Sequence, residues 1–439
     1  MTQEYLIVGA GLAGLYSAWS LTKSYPSASI TILESDSEAG GRIRTQETPG
    51  FRVEKGAARF ASSHTRFIGL LSDLGLQDKM TELPKERVFV YRGKTTSYDI
   101  YRTLKEVCKK GVSQTRKEIS FFQHCVEHLP GGFEEAQKLQ AAFGFDAEFE
   151  RLSCEAFIGM FSDDLAMDQS YYVLAGGLSQ VIHGLVSRLS ERGVTILYES
   201  RVTDIQKDHV SYDIQGKTRR LRGGHVIVTT PYLQLQTFDL FRDEEWVHAI
   251  EPIPLHRFYV KYDTCWFQGL PTHTTDSYLR YMIPMSEEEC TVMYYTDSLH
   301  ADEWKQWNEV GTDTIIKRLH QEVKGLVTPE RWKRLHKANV KDTKSCYWSG
   351  GCHVWKPGVS YKDVARKALQ PFPGLHIYVC GEGYSTCQDW MEGAMDSAHQ
   401  VCRKLGCRGV AKPGTTLHRR VRDLSRRRRS RSRRRHHDH

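Results

Sequence analysis

The stretch "EYLIVGAGLAGLYSAWSL" (Glu4–Leu21) decides how the rest of the chain is read. Tyr5–Val8 is short, apolar and partly β-branched. It breaks into Gly9-Ala10-Gly11-Leu12-Ala13-Gly14, after which Leu15, Trp19 and Leu21 return at roughly helical spacing. That order reads as strand, tight turn and helix. Gly9 permits the turn, Gly11 lets the backbone approach a pyrophosphate, and Gly14 lets helix and strand pack closely, with the helix N-terminus turned toward phosphate charge. The next apolar run, Ile30–Leu33, ends in Glu34, twenty residues beyond Gly14, where a carboxylate accepts both hydroxyls of an adenosine ribose. A 2′-phosphate there would set two anions together, so the expected ligand is NAD or FAD.

The chain has 439 residues, 40% of them hydrophobic, which suits two lobes rather than one core. No stretch approaches the ~18 uncharged apolar residues that span a bilayer, and the N-terminus lacks a basic segment before its apolar run. No membrane association and no secretion signal are expected, and an intracellular protein, cytoplasmic or nuclear, is. Eleven scattered cysteines without a CxxC pair read as reduced thiols, with no metal site. Between Leu417 and His439 eleven arginines face two aspartates, a balance of +9 that leaves residues 1–416 at −1 of the total +8. The basic excess therefore belongs to a terminal segment too poor in apolar residues to bury a core, and it should be disordered. Such a tail suits nucleic acid, an acidic partner or nuclear import, or is simply solvated.

Just after Glu34 come Gly40-Gly41-Arg42-Ile43-Arg44-Thr45 and then Glu54-Lys55-Gly56-Ala57-Ala58-Arg59-Phe60. A nicotinamide enzyme has no particular need of a second glycine pair followed by arginine. A longer dinucleotide laid along a sheet needs further backbone amides and a cation over its pyrophosphate, which favours FAD. Downstream, "LAGGLSQVIHGLVSRLSERGVTILYESRVTDI" carries apolar positions at helical spacing, with Gly193 ending the helix before a strand. "HVIVTTP" is a buried strand halted by Pro231, and "GLHIYVCGEGYSTCQDWMEGAMDSA" is a strand, a turn and a helix starting near Met391.

In that order and spacing these segments resemble the flavin-containing amine oxidase family, which includes monoamine, polyamine and L-amino-acid oxidases, over residues 5 to about 405. The resemblance implies a two-lobe α/β flavoprotein: a Rossmann-type FAD lobe from residues 1–80, 171–234 and 346–408, and a mixed-sheet and helical substrate lobe from 81–170 and 235–345, followed by the basic tail at 409–439. It implies FAD held by Gly9, Gly11, Gly14, Glu34, Gly41, Arg42, Arg59, Val202 against the adenine, Gly381, Glu382, and Met391, whose helix start faces the flavin carbonyl O2. Trp390 stands where monoamine oxidases carry one aromatic wall of the amine site. "SGGCHVWKPG" (Ser349–Gly358) resembles the segment that carries their flavin-linked cysteine and second aromatic. By that match Cys352 is a candidate thioether link to the flavin, and His353 or Trp355 a candidate opposite wall. This segment is two residues shorter than in monoamine oxidases, so dissociable FAD is the default expectation.

The family commonly places a lysine, bonded through water to flavin N5, in the strand matching "LHRFYVKYD". The best register puts Arg257 there, and a shift of one residue puts His256; Lys261 shares the face of Arg257 four residues on. Arginine donates hydrogen bonds but does not release its proton, so it is no equivalent of lysine. The function expected is FAD-dependent removal of a hydride from the carbon next to an amine, giving an imine, with reoxidation by O2 to H2O2. Acidic residues such as Asp163 and Asp164 are available to attract a cationic amine. Two alternatives stay open: a flavin desaturase or porphyrinogen-type oxidase, which does not need the lysine, and a catalytically idle flavin-binding protein whose basic tail engages nucleic acid.

Overall fold

The computed structural model describes residues 3–166 and 169–407. The arginine-rich tail, with the nucleic-acid or acidic partner expected of it, and the side chains of Asp163 and Asp164 lie outside the described set.

A five-stranded parallel sheet forms the first lobe, in the order Thr195–Leu197, Ser29–Leu33, Glu4–Val8, His225–Val228 and Ile377–Val379. Ile7 is central, in register with Ile32 on one side and Ile227 on the other. Side chains of successive strand residues point to opposite faces. Tyr5, Ile7, Ile32 and Ile227 therefore pack under the helices Leu12–Ser24, Ser179–Ser190 and Met391–Lys404. Leu6, Val8, Val228 and Val379 bury the other face, partly against Val202, Ile205, Val210 and Tyr212 of a three-stranded antiparallel sheet. Both faces of the parallel sheet are thus covered, which explains its near-continuous apolar strands.

A seven-stranded mixed sheet forms the cover, in the order Val340–Trp355, Ile250–Tyr262, Thr291–Asp297, Tyr281–Ser286, Thr272–Thr275, Arg87–Tyr91 and Lys94–Thr95. Period-two alternation assigns its faces. Phe258, Val260, Met282, Val292 and Tyr294 join Trp304, Ile315 and Leu319 under helices Ser298–Val310 and Thr312–Lys324. Leu255, Arg257, Tyr281, Tyr295 and Asp297 face the opposite way, into a cavity shared with the first lobe. Of the six helices between Ile100 and Ala166, Ile100–Cys108, Gly132–Phe143, Ala147–Glu150 and Cys154–Ala166 contribute residues to the cavity wall.

One expected boundary needs correction. Strand Val340–Trp355 runs unbroken across residues 345/346, pairing with Ile250–Tyr262 from end to end apart from local irregularities. Phe51 and Val53, expected in the FAD lobe, also pack on Tyr259, Met293 and Cys346 of the cover sheet. Among the described residues, no helix is long and apolar enough to cross a membrane, and no group of His, Cys, Asp or Glu could hold a metal ion.

Candidate active site

The two lobes enclose a cavity of about 950 Å³. At one end it is a cradle for a nucleotide. Gly9 N–H donates to Leu33 O at 2.8 Å, which closes the turn. Gly14 lies so near this turn that a Cβ would stand 2.0 Å from Gly9 O, whereas a Cβ on Gly11 would meet no atom within 4 Å. The first glycine serves packing and the second leaves space open toward the cavity. Helix Leu12–Ser24 has no side-chain cap, so its first N–H groups stay free for an anion. Glu34 is buried and held by Ala10 N–H at 2.7 Å and Asp36 N–H at 2.9 Å.

Arg42 reaches across the middle of the cavity, donating to Gly351 O at 3.0 Å and to Glu382 Oε2 at 2.7 Å. Glu382 also accepts from His353 N–H at 3.0 Å, His353 Nδ1 at 2.9 Å and Asp389 N–H at 3.1 Å. Burial works to raise this carboxyl, yet Arg42 and the His353 imidazole outweigh it and hold it well below the usual carboxylate range. The second uncapped helix, Met391–Lys404, starts at the cavity wall, where Met391 and Ala394 line it.

The far end is an aromatic chamber lined by Phe89, Phe145, Tyr171, Tyr281, Tyr295 and Trp390. Arg59 stands among three of its rings, 5.2 Å from Tyr171, 5.8 Å from Phe145 and 5.9 Å from Trp390. Trp390 is braced by His64, ring centroids 4.8 Å apart at 69°. His64 Nδ1 accepts from Ala61 N–H at 3.2 Å, and burial pushes the imidazole down to about 3, so a neutral ring supports the indole. A dinucleotide cradle therefore runs directly into an aromatic chamber.

The model of the family described as flavin containing amine oxidoreductase matches residues 115–405, and that of an NAD(P)-binding Rossmann-like domain matches residues 7–74. The chain belongs to the flavin-containing amine oxidoreductase family. Its fold is shared with a putrescine oxidase variant redesigned for cofactor binding, at TM-score 0.73 and 16% identity over 93% of this chain and 100% of that one. A protoporphyrinogen oxidase structure from Exiguobacterium gives TM-score 0.69 and 14% identity over 92% of this chain and 99% of its own. Among curated relatives, the flavin-dependent L-tryptophan oxidase of Lentzea aerocolonigenes is 26% identical over 92% of this chain and 98% of its own length. A coproporphyrinogen III oxidase of Staphylococcus aureus is 24% identical over 53% of this chain, which spans only 61% of that enzyme. The chain is accordingly an oxidoreductase, and FAD is its cofactor.

The donor set fits that cofactor. Gly9, Gly11, Glu34, Gly41, Arg42, Arg59, Val202, Cys352, Gly381, Glu382 and Met391 all line the cavity, as do Trp390 and Arg257. Gly14 does not, and acts through packing. His353 and Trp355 require correction as candidate walls. Strand alternation turns both away from the face of Cys352: His353 is fully buried on Glu382, and Trp355 Nε1–H donates to Ser385 O at 3.1 Å. The tryptophan of this strand that does line the cavity is Trp348, beyond the Gly350-Gly351 irregularity, with its Nε1–H bonded to Lys55 O at 2.6 Å. The alternative register for the lysine position also fails. His256 lies on the opposite strand face, buried at 2.7 Å from Ser345 Oγ, and Lys261 donates to Gly50 O at 2.6 Å outside the cavity. Arg257 is engaged by the carbonyls of Gly56 and Glu54 and lies 4.7 Å over the Tyr295 ring.

Sequence reasoning missed Glu148 and Asp389. Both line the cavity, and only packing of distant segments brings them there. Burial pushes the Asp389 carboxyl up to about 8, with Glu382 adding to it, and raises Glu148 well above its ordinary value, with Asp389 and Asp297 adding.

Proposed function

We propose that this chain oxidises an amine, removing a hydride from the carbon next to nitrogen to give an imine, with O2 as final acceptor and H2O2 as its product. The observation that carries this reading is the continuity of cradle and chamber: the uncapped start of helix Met391–Lys404 and the Trp390 indole meet at one point of the same cavity. In this reading Glu34 holds the adenosine ribose, Val202 lies against adenine, and Arg42 with the free N–H groups after Gly11 takes the pyrophosphate. The first N–H groups of the 391–404 helix support negative charge on the flavin. When bound, the flavin accepts the hydride and delivers the electrons to oxygen. The protein orients the substrate with Trp390 and Tyr295 and excludes water. Arg257 supplies a fixed positive charge there and, unlike lysine, does not lose its charge by giving up a proton.

A second reading, oxidation of a carboxylated porphyrinogen-type substrate, draws support from two guanidiniums in the chamber. Arg59 and Arg87 line it, and neither has a carboxylate partner among the described residues. One experiment separates the readings. Under anaerobic conditions the flavin-loaded protein is mixed with mono-, di- and polyamines, amino acids and a porphyrinogen, and the flavin absorbance is followed. Bleaching by an amine supports the first reading, bleaching by porphyrinogen alone the second. A flavin that no substrate bleaches refutes both and leaves the idle binding protein.

A further inference from the structure

Helix Met391–Lys404 begins at the cavity wall and ends about 20 Å away, where its last turn carries a pair of cysteines. Gly406 follows the Leu405 cap in a left-handed conformation, φ +83°. Its N–H donates to Arg403 O at 3.0 Å, and Cys407 N–H donates to Cys402 O at 3.0 Å. This double closure of a helix end is the Schellman arrangement, which sets the side chains at its two outer positions, here Cys402 and Cys407, against each other. The backbone hydrogen bond between them keeps their Cα atoms within about 7 Å, the reach of a disulfide. Tyr25 Oη donates to Leu405 O at 2.7 Å and ties the same turn to the end of helix Leu12–Ser24. Cys402 is fully buried, its Sγ 3.8 Å from Ser17 O, whereas Cys407 is half-buried. The Cys402 thiol, helped by the Ser24 hydroxyl, outweighs burial and brings Cys407 down to about 7, and the same contact raises Cys402. Burial instead pushes Cys108, Cys154 and Cys380 up to about 12, so their thiols stay protonated.

We propose that Cys407 and Cys402 are a peroxide-sensitive dithiol, oxidised by hydrogen peroxide to a disulfide across the helix end. The peroxide comes from any source, so the proposal is independent of the substrate the flavin oxidises. Cys407, the thiol within reach of solvent, reacts first. Its thiolate attacks one peroxide oxygen: an S–O bond forms, the O–O bond breaks, and the leaving hydroxide takes up a proton to become water. The buried Cys402 sulfur then attacks the Cys407 sulfur of the resulting sulfenic acid. An S–S bond forms, the S–O bond breaks, and the hydroxyl leaves with the Cys402 proton as a second water. Two thiols lose two electrons, and one peroxide is reduced to two waters. An accessible thiol of lowered pKa beside a second thiol that resolves it is the arrangement such chemistry requires.

The test uses the full-length, FAD-loaded protein, fully reduced and then treated with equimolar hydrogen peroxide. Remaining thiols are alkylated and tryptic peptides are mapped by mass spectrometry. Trypsin cuts after Arg403 and Lys404, between the two cysteines. The bridge should therefore join a peptide ending in Cys402-Arg403 to the peptide Leu405–Arg408, lighter by two hydrogens and separated by dithiothreitol. Thiols counted on the denatured chain should fall by two from eleven and return on reduction. In Cys402→Ser, dimedone should capture a sulfenic acid at Cys407. In Cys407→Ser, oxidation of Cys402 should slow by about tenfold or more, because the thiolate that meets the peroxide is gone. The map of the unmodified protein does not depend on any variant folding. Peroxide that oxidises other cysteines first, or links Cys402 or Cys407 to Cys380 or to a second chain, overturns the assignment. So does a pair left reduced, or a Cys407 sulfenic acid in the unmodified protein that never passes to Cys402.

Discussion

Arg42→Met removes the guanidinium paired with the buried Glu382 carboxylate. Glu382, 7% exposed, accepts four hydrogen bonds; three come from His353 and Asp389 and survive the change. Breaking a buried ion pair by deleting one partner costs about 3–5 kcal/mol. The Arg42 side chain is 29% exposed, so solvent already screens part of the attraction and the loss should be nearer ~2–3 kcal/mol. The sign with pH follows from the depressed carboxyl. Its stabilising effect is fully present above the unfolded glutamate value of about 4.3 and is lost only as pH falls toward the lower folded value. In the variant burial acts unopposed by Arg42 and drives Glu382 upward, so acidification neutralises the stranded charge sooner. The stability gap between the parent and Arg42→Met should be widest near pH 8 and narrow toward pH 5. Urea unfolding of the FAD-free proteins at several pH values measures it without interference from cofactor loss. Equal midpoints at pH 8, or a gap that widens in acid, would refute the account of this carboxylate.

Three further outcomes are expected. Gly14→Ala puts a Cβ 2.0 Å from Gly9 O, so helix and turn must separate; overpacking of this kind costs about 1–3 kcal/mol, and the purified variant should carry less FAD and melt earlier. Parent-like flavin content would show that the turn is not the cradle. At Cys352, burial and the neighbouring Asp389 and Glu148 charges keep the thiol protonated, which opposes attack on a flavin, so acid precipitation should release all FAD into the supernatant. A yellow pellet that turns white in Cys352→Ser would establish the link instead. Trp390→Ala, with His64 losing the ring it braces, should retain flavin yet slow anaerobic amine-driven bleaching by about tenfold or more, because the reacting bond is no longer held in line. An unchanged rate would remove the indole from the amine site.

The parallel sheet was legible because its information is local. Glu4–Val8, Ser29–Leu33 and His225–Val228 are short apolar runs bounded by glycine, glutamate or proline, and Gly9, Gly11 and Glu34 fall at the ends of those runs, on the cavity wall. The chamber was not legible in the same way. Whether Cys352 or His353 faces the cavity depends on strand parity, which is set by pairing with Ile250–Tyr262 across an irregularity at Gly350-Gly351. Resemblance to a segment of different length could not supply that parity, and the aromatic expected at His353 or Trp355 is displaced to Trp348 on the cavity face. The 345/346 boundary failed for a related reason: one strand serves both lobes, so no change of composition marks the passage. Glu148 and Asp389 had no local signature at all. Their significance lies in the partners they lack, and only packing reveals that.

The Glu382 carboxylate joins the two ends of the cavity, and this has a thermodynamic consequence. Its Oε2 pairs with Arg42 on the cofactor side, and its Oε1 accepts the backbone N–H of Asp389, whose carboxyl the Glu382 charge makes harder to ionise. A pyrophosphate drawing on Arg42 leaves Glu382 less neutralised. The added negative charge raises the cost of ionising Asp389 unless a cation is present, so the loaded cradle should favour a cation in the chamber. Linkage requires the reverse effect to be equal: whatever factor FAD contributes to cation affinity, the cation contributes to FAD affinity. Saturating tetramethylammonium should therefore tighten FAD binding by about fivefold or more in the parent. Glu382→Gln, which removes the charge and turns one acceptor oxygen into an NH2 donor, should abolish the gain. Fluorescence titration of the FAD-free protein with FAD, with and without the cation, reads both arms. If the cation tightens FAD equally in Glu382→Gln, the coupling does not pass through this carboxylate; if it tightens FAD in neither protein, the two ends of the cavity are energetically independent.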